Sequence, residues 1–160
     1  MALLTDTLCL HCGLCCNGVL FADVRPGPGD GSPLFAGRKR VAQPCPAFGA
    51  GDCKCAIYAE RPQRCRQFEC RQLLGVAAGE IPAAAARRRI AKARRLAARV
   101  EKGLAALGFK QVHWPLKRRF QHCQRAAEAG ELDASQYATL AEVQLAMHLL
   151  NQLLAEEFYR

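Results

Sequence analysis

No apolar run in this 160-residue chain approaches the roughly 20 residues needed to cross a bilayer. Its longest Ala/Leu-rich stretches carry an arginine every few positions, which argues against a helical membrane anchor and for a soluble protein. Met1 to Leu4 is apolar, but Asp6 interrupts it and no basic n-region or small-residue cleavage site follows, so no export signal is read there and the expected compartment is the cytoplasm. No internal repeat is visible. No Ser/His/Asp nucleophile set, Gly-rich phosphate loop or pair of acid–base carboxylates stands out, so independent catalysis is not expected.

What the chain has in excess is cysteine, ten in all, of which Cys9, Cys12, Cys15 and Cys16 form one group and Cys45, Cys55, Cys65 and Cys70 a second, with Cys53 beside Cys55. A reducing cytosol keeps thiols from pairing, so a thiol density of this kind points to metal coordination rather than to disulfides. Soft thiolates suit zinc, iron or an iron–sulfur cluster. Cys9, Cys12 and Cys15 make two overlapping CxxC steps, enough to supply three ligands to one centre, and Gly13 permits the tight backbone path between them. Adjacent side chains diverge, so Cys15 and Cys16 more naturally serve two centres, or leave one thiol buried, than chelate a single ion. With Cys53 set aside, four plus four thiols match two tetrahedral zinc sites or the ligands of an iron–sulfur cluster. A bacterial ferredoxin run would place its fourth cysteine four positions after the third and before a proline; here the fourth is adjacent and Asn17 follows. Cys123, on an apolar helical face beside His122, reads as a small core residue.

Composition divides the chain. Residues 1–60 hold more than half of the prolines and glycines and seven of the ten cysteines, a mixture that builds turns and buries little apolar surface. Metal binding supplies the missing folding free energy in such modules, on the order of 10 kcal/mol or more for structural zinc. From residue 82 the sequence is rich in Ala, Leu, Arg, Glu and Gln. The expected domains are a cysteine-cluster module over 1–78 and a helical region over 79–160. The expected fold class is mainly α, with an irregular metal-binding N-terminal module, short strands in it, and antiparallel C-terminal helices.

Three helices are read in the second half. One starts at Pro82 and carries Ile90, Ala93, Ala97, Val100, Leu104 and Leu107 on one stripe until Gly108; the next runs from Trp114-Pro115 to about Ala129; Asp133 or Ser135 caps a third with Tyr137, Leu140, Val143, Met147, Leu150, Leu154 and Phe158 on its seam. The simplest partner for that seam is the 82–108 helix, packed antiparallel, although a homodimer would use the same seam, leaving monomer and homodimer both open. In the first half, brief extended signals lie at Val19 to Val24, Lys39 to Ala42 and Ala56 to Tyr58. One short helix from Arg61-Pro62 is expected to carry Arg64, Cys65, Phe68, Arg71 and Leu74. Gly27 to Pro33 is a loop in any reading.

The combined pattern Cys9-x2-Cys12-Gly13-x-Cys15-Cys16, Cys45-Pro46-x-Phe48 and Cys55-x-Ile57-Tyr58-x2-Arg61-Pro62-x2-Cys65-Arg66-x-Phe68 resembles the CxxCxxCC family of zinc- or iron-chelating domains, the YkgJ-like cysteine-cluster proteins. The resemblance covers roughly residues 9–75. It implies metal binding through Cys9, Cys12, Cys15, Cys16, Cys45, Cys55 and Cys65, with Cys70 similar to an extra cysteine in one branch. Some relatives are linked to flagellin lysine N-methylation, but those are longer, and the basic helices of this chain are not part of the shared motif. Cys53 departs from the pattern.

The other residues around the motif have plain physical readings. Arg61, Arg64 and Arg66 can neutralise a thiolate-rich centre or form a solvated basic face; Ile57, Tyr58 and Phe68 make an apolar shell; His11 could replace a cysteine as ligand, but eight cysteines make it dispensable; His113, His122 and His148 are surface or packing residues. Charge is uneven, +14 over residues 61–125 and −5 over 126–160. Eight thiolates on two divalent ions would bring the net +9 to about +5. The 82–102 helix carries Arg87, Arg88, Arg89, Lys92, Arg94, Arg95 and Arg99, so nucleic acid is one candidate partner and an unidentified protein another. Against nucleic acid stand the lack of aromatic interleaving and of a nucleic-acid motif, and the option that Glu128, Glu131, Glu142, Glu156 and Glu157 oppose that face within the fold. The functional expectation is a metal-binding protein, zinc or iron, one or two ions, with the metal mainly structural. Its rivals are an iron–sulfur redox or modification enzyme and a zinc-stabilised nucleic-acid module.

Overall fold

A computed structural model of the chain describes residues 8–49, 51 and 53–159, and the reading of Met1 to Asp6 lies outside them. The fold is mainly helical. A short helix α1 covers residues 8–12. Four two-residue strands follow, β1 (Asp23–Val24), β2 (Val41–Ala42), β3 (Phe48–Gly49) and β4 (Lys54–Cys55), pairing antiparallel as β1 with β2 and β3 with β4. A 3-10 turn at Tyr58–Glu60 leads into α2 (Gln63–Gln67), α3 (Arg71–Ala77), α4 (Ala83–Ala106), α5 (Leu116–Glu128) and α6 (Gln136–Glu157).

The long helices form where the apolar period requires them. Ile90, Ala93, Ala97, Val100, Leu104 and Leu107 are all buried on α4, and Leu140, Val143, Met147, Leu150, Leu154 and Phe158 face them from the α6 side. The two helices run antiparallel: Arg89 Nη1 lies 3.2 Å from the Glu157 carboxylate, and fourteen residues along, Gly103 lies under Val143 so closely that a Cβ there would overlap its Cγ2. The seam is thus covered from within the chain. Tyr137 falls outside it, 46% exposed, because it sits on the first turn of α6 before the helix reaches α4. Pro82 and Pro115 stand at the N-caps of α4 and α5, and Gly108 (φ +92°) and Gly130 (φ +74°) take the left-handed conformation that ends these helices. Ser135 holds the N-cap position of α6, but the Asp133 carboxylate accepts the amides of Ser135 (2.8 Å) and Gln136 (3.2 Å). Cys123 is fully buried in this core, as its helical position implied.

The helical core continues into the cysteine-rich half through Leu8, Cys12, Leu14 and Leu20. Two expectations there are corrected. Ala56 to Tyr58 is a turn rather than a strand, and the second strand pair instead brackets the glycine-rich turn after Phe48. The single helix expected after Arg61-Pro62 is two, broken at Phe68–Cys70, where Cys70 turns extended (φ −77°, ψ 163°) and begins α3. Cys65 and Cys70 therefore lie on different elements. Among the described residues, no helix is long and apolar enough to cross a membrane.

Candidate metal centre

Nine of the ten cysteines line one cavity of about 820 Å³, and Cys123 alone lies elsewhere. None of the ten is in a disulfide. The elements around the cavity explain how such distant sulfurs meet. After α1, the backbone folds tightly at Gly13 (φ +66°), whose carbonyl accepts the amides of Cys16 and Asn17, both at 3.0 Å. A Cβ at Gly13 would stand 2.8 Å from the Phe48 ring and 3.4 Å from Cys53 Sγ, so only glycine lets β3 and Cys53 close over this loop. Cys45 is brought in by its amide, which bonds the Cys16 carbonyl at 2.8 Å, and Cys55 lies opposite Phe48 in the β3–β4 pair.

Two tethers place Cys65 and Cys70. The Asp30 carboxylate, in the Gly27–Pro33 loop, accepts the Gly27 amide at 2.6 Å and the Gln63 amide at 2.9 Å, which anchors the start of α2 and hence Cys65. Those same backbone bonds hold Asp30 below its ordinary pKa. Cys70 is fixed by the start of α3 against the end of α6: the Arg71 amide donates to the Phe158 carbonyl (3.1 Å), Arg71 Nη1 to the Glu156 carbonyl (2.6 Å) and the fully buried Gln72 Nε2 to the Glu157 carbonyl (2.5 Å). Tyr159 completes this clasp by donating to the Leu20 carbonyl at 2.9 Å.

Burial is the main cause of the raised thiol pKa values, pushing Cys12 and Cys16 to about 12, Cys65 to about 11, and Cys15 and Cys45 upward from 9.0. The lesser contributions identify neighbours. Cys12 feels Cys70 and Cys9; Cys15 feels Cys12, Cys16, Cys70 and Cys9. Cys16 feels Cys45, Cys55, Cys65 and Cys9, and Cys65 feels Cys45 and Cys55. These neighbours place Cys9, Cys12, Cys15 and Cys70 toward one side of the cavity and Cys16, Cys45, Cys55 and Cys65 toward the other, with Cys16 adjoining both Cys15 and Cys9. Packing agrees with the division. Cys12 belongs to the helical core and Cys15 and Cys70 pack against it, whereas Cys16 and Cys45 share a backbone bond.

Donor type and number fit two four-thiolate sites, but the sulfurs do not form a closed shell as they stand. Among the described residues, no three Cys, His, Asp or Glu side chains are close enough together to hold one metal ion. Tetrahedral zinc requires four sulfurs at about 2.3 Å from a common point, so ligation would need the cavity walls to draw in.

The cavity also has features that sequence reasoning missed. Gln43 lines it, is 1% exposed, and its Oε1 has no hydrogen-bond partner among the described residues. A buried acceptor left so costs about 1–3 kcal/mol, and no sequence signal marks it, because Gln43 reads as an ordinary residue between Ala42 and a proline. Arg61, Arg64 and Arg66 line the cavity, Arg64 and Arg66 being exposed; Arg61 stacks 3.8 Å over Tyr58 and opposes the rise of the Cys65 pKa. Phe68 packs edge-on against Phe21, centroids 4.7 Å apart, and with Ile57 forms part of the apolar wall. Cys53 lines the cavity outside both sets, in a left-handed conformation (φ 57°). His11 is exposed, and its carbonyl accepts Arg94 Nη1 at 2.8 Å. His113 and His148 are exposed, and His122 packs between Phe109 and Trp114.

Comparison of the chain with protein-family models, curated proteins and solved structures gave no match.

Proposed function

We propose that the chain is a thiolate metal-binding protein with two centres, Cys9, Cys12, Cys15 and Cys70 at one and Cys16, Cys45, Cys55 and Cys65 at the other. The observation that carries this reading is the gathering of nine cysteines, none in a disulfide, around one cavity. Buried thiols of raised pKa are poor metal ligands until an ion displaces their protons, so loading is coupled to proton release. The metal, zinc or iron, is mainly structural: it ties together loops whose own apolar burial is small. A cytoplasmic location and a protein partner belong to the same reading, the first because thiols of this density persist unpaired where the medium is reducing.

A second reading, an iron–sulfur cluster on the same thiols, is favoured by the size of the cavity, about 820 Å³. Anaerobic purification with metal analysis separates the two. Two metal ions per chain without inorganic sulfide are expected for ion sites, the solution being colourless if they are zinc; iron with inorganic sulfide would establish a cluster. Cys70→Ser and Cys45→Ser should each remove one of the two centres and leave the other. A wild-type chain that holds no metal at all, purified anaerobically, would refute both readings.

A further inference from the structure

Five of the seven exposed cations of α4 form a line. Arg88, Lys92, Arg95, Arg99 and Lys102 follow one another at intervals of four, three, four and three residues, and all are exposed. At about 100° per residue they fall within an arc of about 80°, and at about 1.5 Å per residue the line is about 21 Å long. The opposite side of the helix is its core face, with Ile90, Ala93, Val100 and Leu104 buried. Glu101 is the only acid on the helix and lies well off the arc.

The acidic C-terminal segment does not neutralise this line. Among the described residues, no ion pair reaches any of the five, and the one link between α4 and the tail, Arg89 to Glu157, leaves from the flank. Arg94, also off the line, is engaged with the His11 carbonyl. The two α4 cations with internal partners, Arg89 and Arg94, thus lie outside the row, where Arg87 is a further exposed cation. Like charges at i,i+4 disfavour the helix that carries them, and an external row of anions would cancel that repulsion.

We infer that this face of α4 binds the phosphate backbone of double-stranded nucleic acid, without regard to base sequence. A regular line of cations about 5–6 Å apart on a rigid helix suits a regular line of phosphates. No aromatic side chain lies on α4, so stacking on unpaired bases is not provided for. An interfacial lipid-binding helix would bury its apolar face in the bilayer, and here that face is spent on α6.

The test is fluorescence anisotropy of the full-length chain, as purified, with end-labelled DNA and RNA duplexes of about 24 base pairs and of arbitrary sequence. Five phosphate contacts give a slope of about −4.5 for log affinity against log salt, or about 500-fold weaker binding at 200 mM than at 50 mM salt. Replacing Arg88, Lys92, Arg95, Arg99 and Lys102 together by Gln should bring the slope close to zero. A charge-matched variant with Arg38, Lys39, Lys110, Lys117 and Arg125 replaced by Gln should keep most of it, and circular dichroism confirms that both variants fold. The inference is overturned by an equal loss in the two variants, by absence of duplex binding at 50 mM salt, or by tighter binding to phosphatidylserine vesicles than to either duplex.

Discussion

The two halves of the molecule are held by different means. Of the buried apolar residues, seven lie in residues 8–49 and twenty in residues 86–158. The second half is a pair of helices of 24 and 22 residues with a third against them, and each turn of the seam buries another Leu, Val, Ala or Met. The first half has strands of two residues and helices of five and seven, too short to be stable alone. Even its buried Leu8, Leu14 and Leu20 belong to the core of the helices. The comparison teaches that the helical half owes its order to burial, while the loops around Cys16, Cys45, Cys55 and Cys65 need another source.

The widest separation of the halves should come from metal removal. Hydrogen exchange before and after treatment with a strong chelator is expected to lose protection over residues 13–68 while α4 and α6 keep theirs. Uniform loss, or none, would erase the distinction between the halves. Next in size is Leu104→Ala, a cavity at the α4–α6 seam worth about 2–5 kcal/mol. It should lower the global urea midpoint while leaving metal content unchanged, and a loss of metal would show that the halves are not separable. Cys12→Ser and Cys65→Ser should do the reverse, removing metal first. Cys123→Ser, in the core and away from the cavity, should leave the metal in place and cost far less stability than either.

A separate readout is the pH dependence of the metal-free chain. Folding raises Cys12 and Cys16 to about 12 and Cys65 to about 11 from 9.0, chiefly by burial. The folded chain therefore holds these protons more tightly than the unfolded one. Their contribution is complete below about pH 9 and is lost as pH rises through 11 to 12. A urea midpoint that is flat near neutrality and falls above pH 9 is expected. Metal-loaded protein, whose thiols have already given up their protons, should lack that alkaline fall.

Periodicity made the helical half legible. The stripe from Ile90 to Leu107 locates α4, and prolines and glycines mark its ends, because burial of one face every three or four residues is written into the chain itself. In the cysteine half the clustering was legible: the eight thiols of the two groups, with Cys53, line one cavity. Its geometry was not legible. Cys70 reaches the cavity that Cys9, Cys12 and Cys15 line where α3 docks on the end of α6, and the break at Phe68–Cys70 coincides with that docking rather than with a proline or glycine. The β3–β4 pair escaped notice because a two-residue strand has no period to read. Gln43 and the clasp of Arg71, Gln72 and Tyr159 are likewise products of tertiary contact.

X-ray absorption at the metal edge of the anaerobically purified chain tests the central claim most directly. Four sulfur neighbours at about 2.3 Å around each of two metal ions per chain is the predicted result. A shell of nitrogen and oxygen, or a chain whose sulfurs bind no metal, would contradict it.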